Sequence, residues 1–337
     1  MPTVMNELAS WGLTARRSQG MNGGVGCGRL GRVVRVDRGE CDVVTERGVV
    51  RVLSDSVRAQ GATAPVTGDW VEIEYLDGLG TVISEICERS TVVSRRDPAR
   101  RDIEQVLATN VDLVGVVHGL DLPLVPSRLE RLLVVAINSG ATPLLILTKA
   151  DLRDSSNATE DILRSLYKDI AVLVTSIVDH RGLRELADCI GVGRTLALIG
   201  TSGVGKSALV NALLGLELLE VGEVRDDGQG RHITTVRELL MLPNEAGLVL
   251  DTPGLRSLGL WEAEHALELV FGDLEEIAVE CRFGDCTHRC EPACAVLAGV
   301  ADGSIDANRV ARYADLVAEL ATQRRREQRG NSRTRKA

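Results

Sequence analysis

An eight-residue glycine-rich stretch limits what this chain can fold into more than any other segment. The pattern G-x-x-x-x-G-K-[ST] is matched by Gly200-Thr201-Ser202-Gly203-Val204-Gly205-Lys206-Ser207, directly after the apolar run 195–199. In a strand–loop–helix of this kind, the glycines let backbone N–H groups turn towards phosphate oxygens, and the helix start adds its positive end. We expect Lys206 to reach the β and γ phosphates, Ser207 to hold Mg²⁺ and Ala208 to offer a further amide. The alternative is a chance match, which the strand and helix flanks disfavour.

Length and composition predict a globular protein of two or three domains. The chain has 337 residues, of which 44% are hydrophobic and only 2% aromatic, so its cores are expected to consist of Val, Leu, Ile and Ala. A net charge of -9 argues against a protein that coats nucleic acid indiscriminately, and leaves local basic patches for any such contact. We find neither a charged start followed by an apolar core nor an apolar run near the roughly 20 residues of a membrane span. The sequence therefore predicts a cytoplasmic protein without membrane contact.

The N-terminal third predicts a flexible leader followed by a small barrel. Residues 1–27 are polar and lack periodicity, whereas short alternating apolar runs separated by Gly and Asp fill residues 28–92. Five or so short strands in this space favour an oligonucleotide-binding (OB-like) β-barrel. Only Trp70 and Tyr75 are available for base stacking in this region. We therefore expect phosphate or shape contacts with a nucleic acid through the arginines of the first strand. The alternative is a solvated arginine face without a ligand. These arginines are Arg29, Arg32, Arg35 and Arg38.

An α/β domain is predicted next. The charged, proline-containing segment 95–101 is interpreted as a connector that ends the barrel. After it, short apolar runs alternate with helical patterns, which is typical of a parallel sheet covered on both faces. The predicted strands are 111–117, 143–147, 171–174 and 195–199, and the predicted helices are 127–138, 160–167 and 183–190.

A second nucleotide motif follows the phosphate loop by about fifty residues. A hairpin is predicted from 237–242 and 248–250, and its second strand runs into Asp251-Thr252-Pro253-Gly254. Alone, this D-x-x-G is a weak signal for a nucleotide site, because the pattern more often marks just a turn. At this distance from a phosphate loop, it indicates the acid that supports Mg²⁺ and the glycine, Gly254, that senses the γ-phosphate. Thr234 or Thr235 is expected to close over the metal.

A guanine-reading element is predicted at the end of the strand 143–147. Thr148-Lys149-Ala150-Asp151 resembles the N-K-x-D box of GTPases, and Val174-Thr175-Ser176 resembles its supporting serine element. A carboxylate at Asp151 can accept from the ring N–H and the exocyclic amine of guanine, while the Lys149 stem covers the base. Thr148 replaces the usual Asn and lacks its amide, so base fixation is expected to be weaker. The alternative is an ordinary polar strand end.

The order of these motifs predicts a circular permutation. In a standard GTPase, the base-reading box follows the phosphate loop and the D-x-x-G, whereas here it precedes both. The chain is therefore expected to form a circularly permuted P-loop GTPase domain at 103–272. The D-x-x-G strand then leads directly towards the C-terminal segment. A nucleotide-dependent movement of the switch after this strand is therefore expected to reach that segment.

Four of the eight cysteines crowd together near the C-terminus and predict a metal site. Cys281, Cys286 and Cys294 with His288 provide three thiolates and an imidazole, enough for one structural Zn²⁺, whereas Cys290 is interpreted as a spare thiol. Buried free cysteines are the alternative. The zinc-binding, α-helical segment is expected at 273–325, and a basic tail at 326–337 is either a solvated end or an arm for phosphate backbone.

Together these features resemble the ribosome small-subunit-dependent GTPase A family. The permuted order, the barrel and the pattern Cys-Arg-Phe-x-x-Cys-x-His-x-x-Glu-Pro-x-Cys over 281–294 carry the resemblance, which covers roughly residues 28–325. It implies a monomeric GTPase that converts GTP to GDP, binds the small (30S) ribosomal subunit and its 16S rRNA during late maturation, and does not act on DNA. The barrel and zinc segment are then expected to grip rRNA.

Two features depart from common GTPase patterns. The family's first switch usually has three threonines after its histidine, whereas here Ile233 precedes Thr234 and Thr235, which leaves the Mg²⁺ ligand open. Leu255 stands where many GTPases have a water-orienting Gln. We hypothesise that His232 takes part in catalysis when the ribosome positions it, because its ordinary pKa near 6.5 suits contact with water. A solvated histidine is the alternative.

Three other classes stay open from the sequence. A P-loop enzyme that phosphorylates a small metabolite would prefer ATP. An RNA-binding scaffold with a vestigial nucleotide site would lack turnover. A permuted GTPase acting on the large subunit is disfavoured by the barrel and the cysteine pattern.

Overall fold

The structure is a computed structural model that describes residues 6–14, 29–54, 64–78, 80–96, 104–152, 157–215, 237–251, 260 and 263–334. The strands are β1 (Arg29–Val36), β2 (Glu40–Thr45), β3 (Gly48–Leu53), β4 (Trp70–Leu76), β5 (Gly80–Ile86), β6 (Val92–Arg96), β7 (Glu104–Thr109), β8 (Leu113–Gly119), β9 (Thr142–Thr148), β10 (Ala171–Val174), β11 (Thr195–Ile199), β12 (Leu239–Met241) and β13 (Leu248–Asp251). The helices are α1 (Asn6–Ser10), α2 (Pro126–Asn138), α3 (Asn157–Leu166), α4 (Leu183–Ile190), α5 (Lys206–Leu214), α6 (Glu264–Val270), α7 (Gly272–Ala278), α8 (Ala295–Asp302) and α9 (Ala307–Thr334). Within these ranges, no helix combines the length and the apolar character needed to cross a membrane.

The predicted barrel is present. Strands β1 to β5 close in the order β1-β2-β3-β5-β4, and the inward positions of the alternating runs form its core. That core consists of Val33, Cys41, Val43, Val52, Val71, Ile73 and Ile83. Mostly small aliphatic side chains thus fill the interior of the five-stranded barrel.

Arg32, which was predicted to contact a nucleic acid, lies instead inside the protein against Trp70. Arg32 is 0% exposed and Trp70 is 1% exposed, and the guanidinium lies 5.5 Å from the centre of the indole ring. Arg32 also donates hydrogen bonds to the carbonyl of Trp11 and, at 2.8 Å, to that of Asn110. The predicted phosphate contact was therefore wrong for Arg32, because its side chain joins the barrel to neighbouring segments, and the buried Trp70 is not available for base stacking. Tyr75, at 72% exposure, does face solvent.

The N-terminal segment is ordered where the structure describes it. Helix α1 lies within the predicted flexible leader, and its Leu8 is 1% exposed within the main hydrophobic core. A Cβ on Gly193 would meet the carbonyl of Ala9 at 2.7 Å, so α1 packs closely on the turn before β11. The leader prediction was thus wrong for residues 6–14, where the buried Leu8 and the bond from Arg32 to the Trp11 carbonyl hold the segment.

The first two residues of the predicted connector, Arg95 and Arg96, belong to a two-stranded ribbon, and residues 97–101 lie outside the described part of the chain. Strand β6 extends through Arg95 and Arg96 and pairs antiparallel with β7, so the charge run continues a strand. At the base of the ribbon, Asp69 is 0% exposed and accepts from Arg89 at 2.8 Å and from Thr109 at 2.7 Å. These bonds fasten the barrel to the segment that enters the central sheet.

The central sheet has the predicted α/β architecture. Its order is β10-β9-β8-β11-β13-β12, with β12 antiparallel and the other five strands parallel. Nearly every residue of β8, β9 and β11 is buried, as expected for central strands of a parallel sheet that is covered on both faces. Predicted bounds for 171–174, 183–190 and 195–199 are confirmed, while the first strand begins two residues later than predicted and ends at Gly119.

The C-terminal helices are held to the sheet domain through α2. Glu130 of α2 is fully buried and pairs with Arg309 at 3.1 Å and with Arg312 at 2.7 Å, both on α9. Arg309 also pairs with Asp273 of α7 at 2.6 Å. Helix α9 continues to Thr334, so the backbone of most of the predicted separate tail from residue 326 is a continuation of this helix.

Candidate nucleotide site and metal centre

The glycine-rich loop connects β11 to α5 as predicted. Gly200, Gly203 and Gly205 all have positive φ angles, at 156°, 81° and 95°. A Cβ on Gly200 would lie 2.7 Å from the carbonyl of Val117 in β8, so a larger residue would push the loop off the sheet. The loop therefore has the tight backbone path that lets consecutive amides face one centre.

Lys206 lies inside this loop. The residue is 5% exposed, and its ammonium donates to the carbonyls of Gly200 at 3.0 Å and Thr201 at 2.8 Å. These bonds hold the ammonium group at the N-terminus of α5, where the helix dipole also favours an anion. Ser207 and Ala208 follow on the first turn of α5, both half-buried.

The base-reading box contacts the phosphate loop directly. The hydroxyl of Thr148 donates to the carbonyl of Val204 at 2.5 Å, and the ammonium of Lys149 donates to the carbonyl of Gly203 at 2.9 Å. Gly205 completes the contact, because a Cβ there would lie 3.4 Å from the Thr148 hydroxyl. Two segments more than fifty residues apart thus form one cleft.

The serine element supports the box from its other side. Ser176 donates to Oδ1 of Asp151 at 2.8 Å, and the amide of Ala150 donates to the carbonyl of Thr175 at 3.2 Å. Gly182 closes this loop at φ 69°, where a Cβ would lie 2.1 Å from a backbone oxygen. The hydroxyl of Ser176 is also the main reason that the pKa of the Asp179 carboxyl lies below its ordinary value.

Part of the predicted site lies outside the described residues. This holds for His232, Thr234, Thr235 and Gly254. For Asp251, the backbone is described, and its pairing with Leu198 places the end of β13 beside the strand that enters the loop.

The cysteine cluster brings four ligand atoms close enough together to hold one metal ion. The ligand atoms of Cys281, Cys286, His288 and Cys294 all lie within 4.8 Å of one another. The two sulfurs of Cys281 and Cys294 are 3.8 Å apart, and Nδ1 of His288 lies 3.7 Å and 3.4 Å from them. Tetrahedral zinc, with Zn–S about 2.3 Å and Zn–N about 2.0 Å, requires separations of about 3.8 Å and 3.5 Å. The donors present therefore fit zinc.

A carboxylate holds the loop between the ligands. Glu291 accepts from the amides of Thr287, Arg289 and Cys290 at 2.9 to 3.0 Å, and its contacts with Thr287 are the main cause that lowers its pKa. This turn places His288 at φ 55°. Cys290 is exposed and lies outside the four-residue cluster.

One polar residue of the cleft was not identified from the sequence. Asp121 follows β8 and lies 2.6 Å from the ammonium of Lys149. A carboxylate just past the carboxyl end of a parallel strand is a signal that could have identified it, because ligand sites lie at this edge of such sheets.

Comparison with known proteins agrees with this geometry. A family model described as RsgA GTPase matches residues 86–261. A protein of Streptomyces coelicolor, named small ribosomal subunit biogenesis GTPase RsgA, is 42% identical over 294 residues, covering 86% of this chain and 80% of the relative.

Two solved structures are similar over most of their length. YjeQ from Thermotoga maritima has a TM-score of 0.63 at 26% identity, covering 87% of this chain and 99% of the other. YloQ, described as a circularly permuted GTPase, has a TM-score of 0.60 at 23% identity, covering 88% and 96%. The latter supports the permuted fold alone.

Proposed function

The chain belongs to the RsgA GTPase family, and from this premise we propose that it hydrolyses GTP to GDP and phosphate during biogenesis of the small ribosomal subunit. The family and its named relatives support the enzyme class and the ribosomal role. The observation that carries the proposed site is the contact of Thr148 and Lys149 with the carbonyls of the phosphate loop. Because the two segments are in contact, a single nucleotide can place its base at residues 148–151 and its phosphates at the loop 200–207.

Each residue of the cleft has a role that follows from its chemistry. The amides of 200–208 would bind phosphate oxygens, and Lys206 would exchange its bonds to loop carbonyls for bonds to the β and γ phosphates. Asp151 would accept two N–H groups of guanine, with Ser176 holding Oδ1 in place. Adenine cannot offer this pair of donors, so we propose GTP over ATP.

Mg²⁺ would be held by Ser207 with Asp251 and Thr235 as further candidate ligands, and would neutralise charge that develops on the phosphates. The pairing of Asp251 with Leu198 is compatible with this set. Thr234 remains an alternative to Thr235. His232 remains a hypothesis for the group that positions water when the ribosome is bound.

We propose one structural Zn²⁺ at the Cys281, Cys286, His288 and Cys294 cluster. Four protein ligands close the tetrahedron, so the ion would stabilise the loop between α7 and α8 without binding substrate. The barrel (28–92), the GTPase domain (103–272) and the zinc-binding segment (273–325) are proposed as the functional units, with the first and third contacting 16S rRNA.

The proposed partner is the small ribosomal subunit, with no DNA and no second copy of the chain required. Since the net charge is -9, we expect binding through local patches and a strong dependence on salt. The protein is proposed to act in the cytoplasm, where ribosomes assemble.

Nucleotide competition tests the base specificity. Wild-type protein is loaded with a fluorescent GDP analogue and challenged with GTP, ATP and xanthosine triphosphate. Asp151→Asn replaces an acceptor by a donor, so it should lose affinity for GTP and gain affinity for xanthosine triphosphate, which has a carbonyl where guanine has its amine. Asp161→Asn, on the exposed face of α3, is the matched control. Equal displacement of the probe by ATP and GTP in the wild type would contradict the proposal.

Sedimentation tests the ribosomal partner. The protein is mixed with separated subunits in GDP or in a non-hydrolysable GTP analogue, and the GTPase rate is measured with each subunit. We expect nucleotide-dependent association with, and stimulation by, the small subunit. Equal behaviour with the large subunit would contradict this part of the proposal, and Lys206→Ala should abolish turnover.

A further inference from the structure

We propose that Asp121 is a positioning residue of the guanine pocket, which fixes the Lys149 ammonium so that the lysine stem forms a rigid surface under the base. The inference rests on the proposed function, because it assigns a further residue to the same pocket. Asp121 belongs to none of the sequence motifs that predicted the site.

The contacts of Lys149 define the role. Its ammonium lies 2.6 Å from Oδ2 of Asp121 and 2.9 Å from the carbonyl of Gly203 in the phosphate loop. Both charged side chains are 27% exposed, so the pair is partly shielded from water at the rim of the cleft. Lys149 itself has φ 59°, a left-handed conformation that needs support from its surroundings. The charged end of the lysine is thus held by two contacts, one with Asp121 and one with the phosphate loop.

The fold places Asp121 by backbone contacts rather than by chance. Gly119 and Thr148 are paired in the β8–β9 register, and the amide of Leu120 donates to the carbonyl of Thr148 at 2.9 Å. A Cβ on Gly119 would lie 2.5 Å from Oδ1 of Asp121, so glycine makes room for the carboxylate. The turn after β8 is therefore locked to the strand end that presents Lys149.

The pair has two physical consequences for the nucleotide. A lysine has a flexible four-carbon stem, and ordering it on binding would reduce affinity; here the stem is ordered before the base arrives. In addition, Asp121 compensates the charge of Lys149, which leaves Lys206 as the ammonium that attracts phosphates. Asp121 acts through Lys149 and needs no contact with the base.

A double-mutant cycle tests this coupling. Asp121→Asn, Lys149→Met and the double variant are compared with the wild type for GDP affinity and for kcat and KM of GTP hydrolysis. Lys149→Met retains an apolar stem without the charge. Asp188→Asn, which breaks an exposed ion pair with Arg184 on α4, is the control. Thermal unfolding of each variant is recorded alongside.

We expect Asp121→Asn to weaken GDP binding by about three- to tenfold, the loss that follows when one rotamer-rich side chain must be ordered on binding. KM should rise while kcat stays near the wild-type value, because the base does not take part in the chemical step. In the Lys149→Met background, Asp121→Asn should have no further effect. The ratio of affinities for GTP and inosine triphosphate should stay unchanged, since Asp151 reads the exocyclic amine.

Wild-type affinity in Asp121→Asn would overturn the inference and leave the proposed function standing. The same loss in the Lys149→Met background would also overturn it, because Asp121 would then act without the lysine. Failure of the wild type to bind guanine nucleotides would overturn both the proposed function and the inference.

Discussion

The buried carboxylate Glu130 is expected to hold the C-terminal helices to the sheet domain. Its oxygens accept from Arg309 at 3.1 Å and from Arg312 at 2.7 Å, and Glu130 and Arg309 are both almost fully buried. Glu130→Gln keeps the size of the side chain and removes its charge. The two guanidinium groups then lose the anion that they share.

The magnitude follows from what each arginine retains. Removing one partner of a buried ion pair costs about 3–5 kcal/mol. Arg309 keeps its two bonds to Asp273 at 2.6 and 2.7 Å, whereas Arg312 keeps, among the described residues, an ion pair with Asp306 at 3.8 Å. We therefore expect Glu130→Gln to lower the free energy that separates docked from undocked α9 by about 3 kcal/mol, the lower end of this range. At about 1.4 kcal/mol per decade, amide exchange from the undocked state should accelerate roughly a hundredfold.

Hydrogen exchange followed by mass spectrometry measures this effect on peptides from α2 and α9. The matched control is Glu319→Gln, which breaks the pair between Arg131 and Glu319 on the same two helices, at 2.6 Å but with both side chains about 30% exposed. Such pairs contribute about 0–1 kcal/mol, so the control should change exchange by less than about tenfold. Equal acceleration in the two variants, or less than tenfold in Glu130→Gln, would refute the assignment of the docking energy to the buried carboxylate.

Three further results are expected. Cys281→Ser should reduce bound zinc from one ion per chain towards none by atomic absorption, while Cys290→Ser should retain it; equal zinc content would contradict the ligand assignment. Asp69→Asn should lower the free energy of unfolding by about 3 kcal/mol in urea, because a fully buried carboxylate loses its charge and the half-buried Arg89 loses its anion; an unchanged midpoint would argue against an ion pair that fixes the barrel. Leu8→Ala should release α1 at a cost of about 2 kcal/mol or more and accelerate exchange of the Leu13 amide, which bonds to the carbonyl of residue 8, by at least about thirtyfold. Exchange at the wild-type rate would show that the leucine does not fix the helix.

The sequence predicted the elements whose physics is local. The phosphate loop needs eight consecutive residues, and the strand and helix beside it are set by their own apolar periodicity. The four candidate metal ligands lie within fourteen residues, so their spacing alone brings them together. The same holds for the bounds of β10 and α4, which match the prediction residue by residue.

Features that join distant segments could not be predicted in this way. Arg32 lies in an arginine-rich strand that the sequence alone places at the surface. In the fold it is buried, and it donates to the carbonyl of Asn110, which is 78 residues away. Asp121 and Lys149 are 28 residues apart, and only the parallel pairing of β8 with β9 brings their strand ends together. Leu8 likewise finds its core through contacts with residues that follow much later in the chain. The amino-acid sequence by itself thus determined the chemistry of each motif, because backbone conformation and ligand spacing act over a few residues. Tertiary structure alone decided which charged and apolar side chains are buried, since the free energy of burying a group depends on partners that only the complete fold supplies.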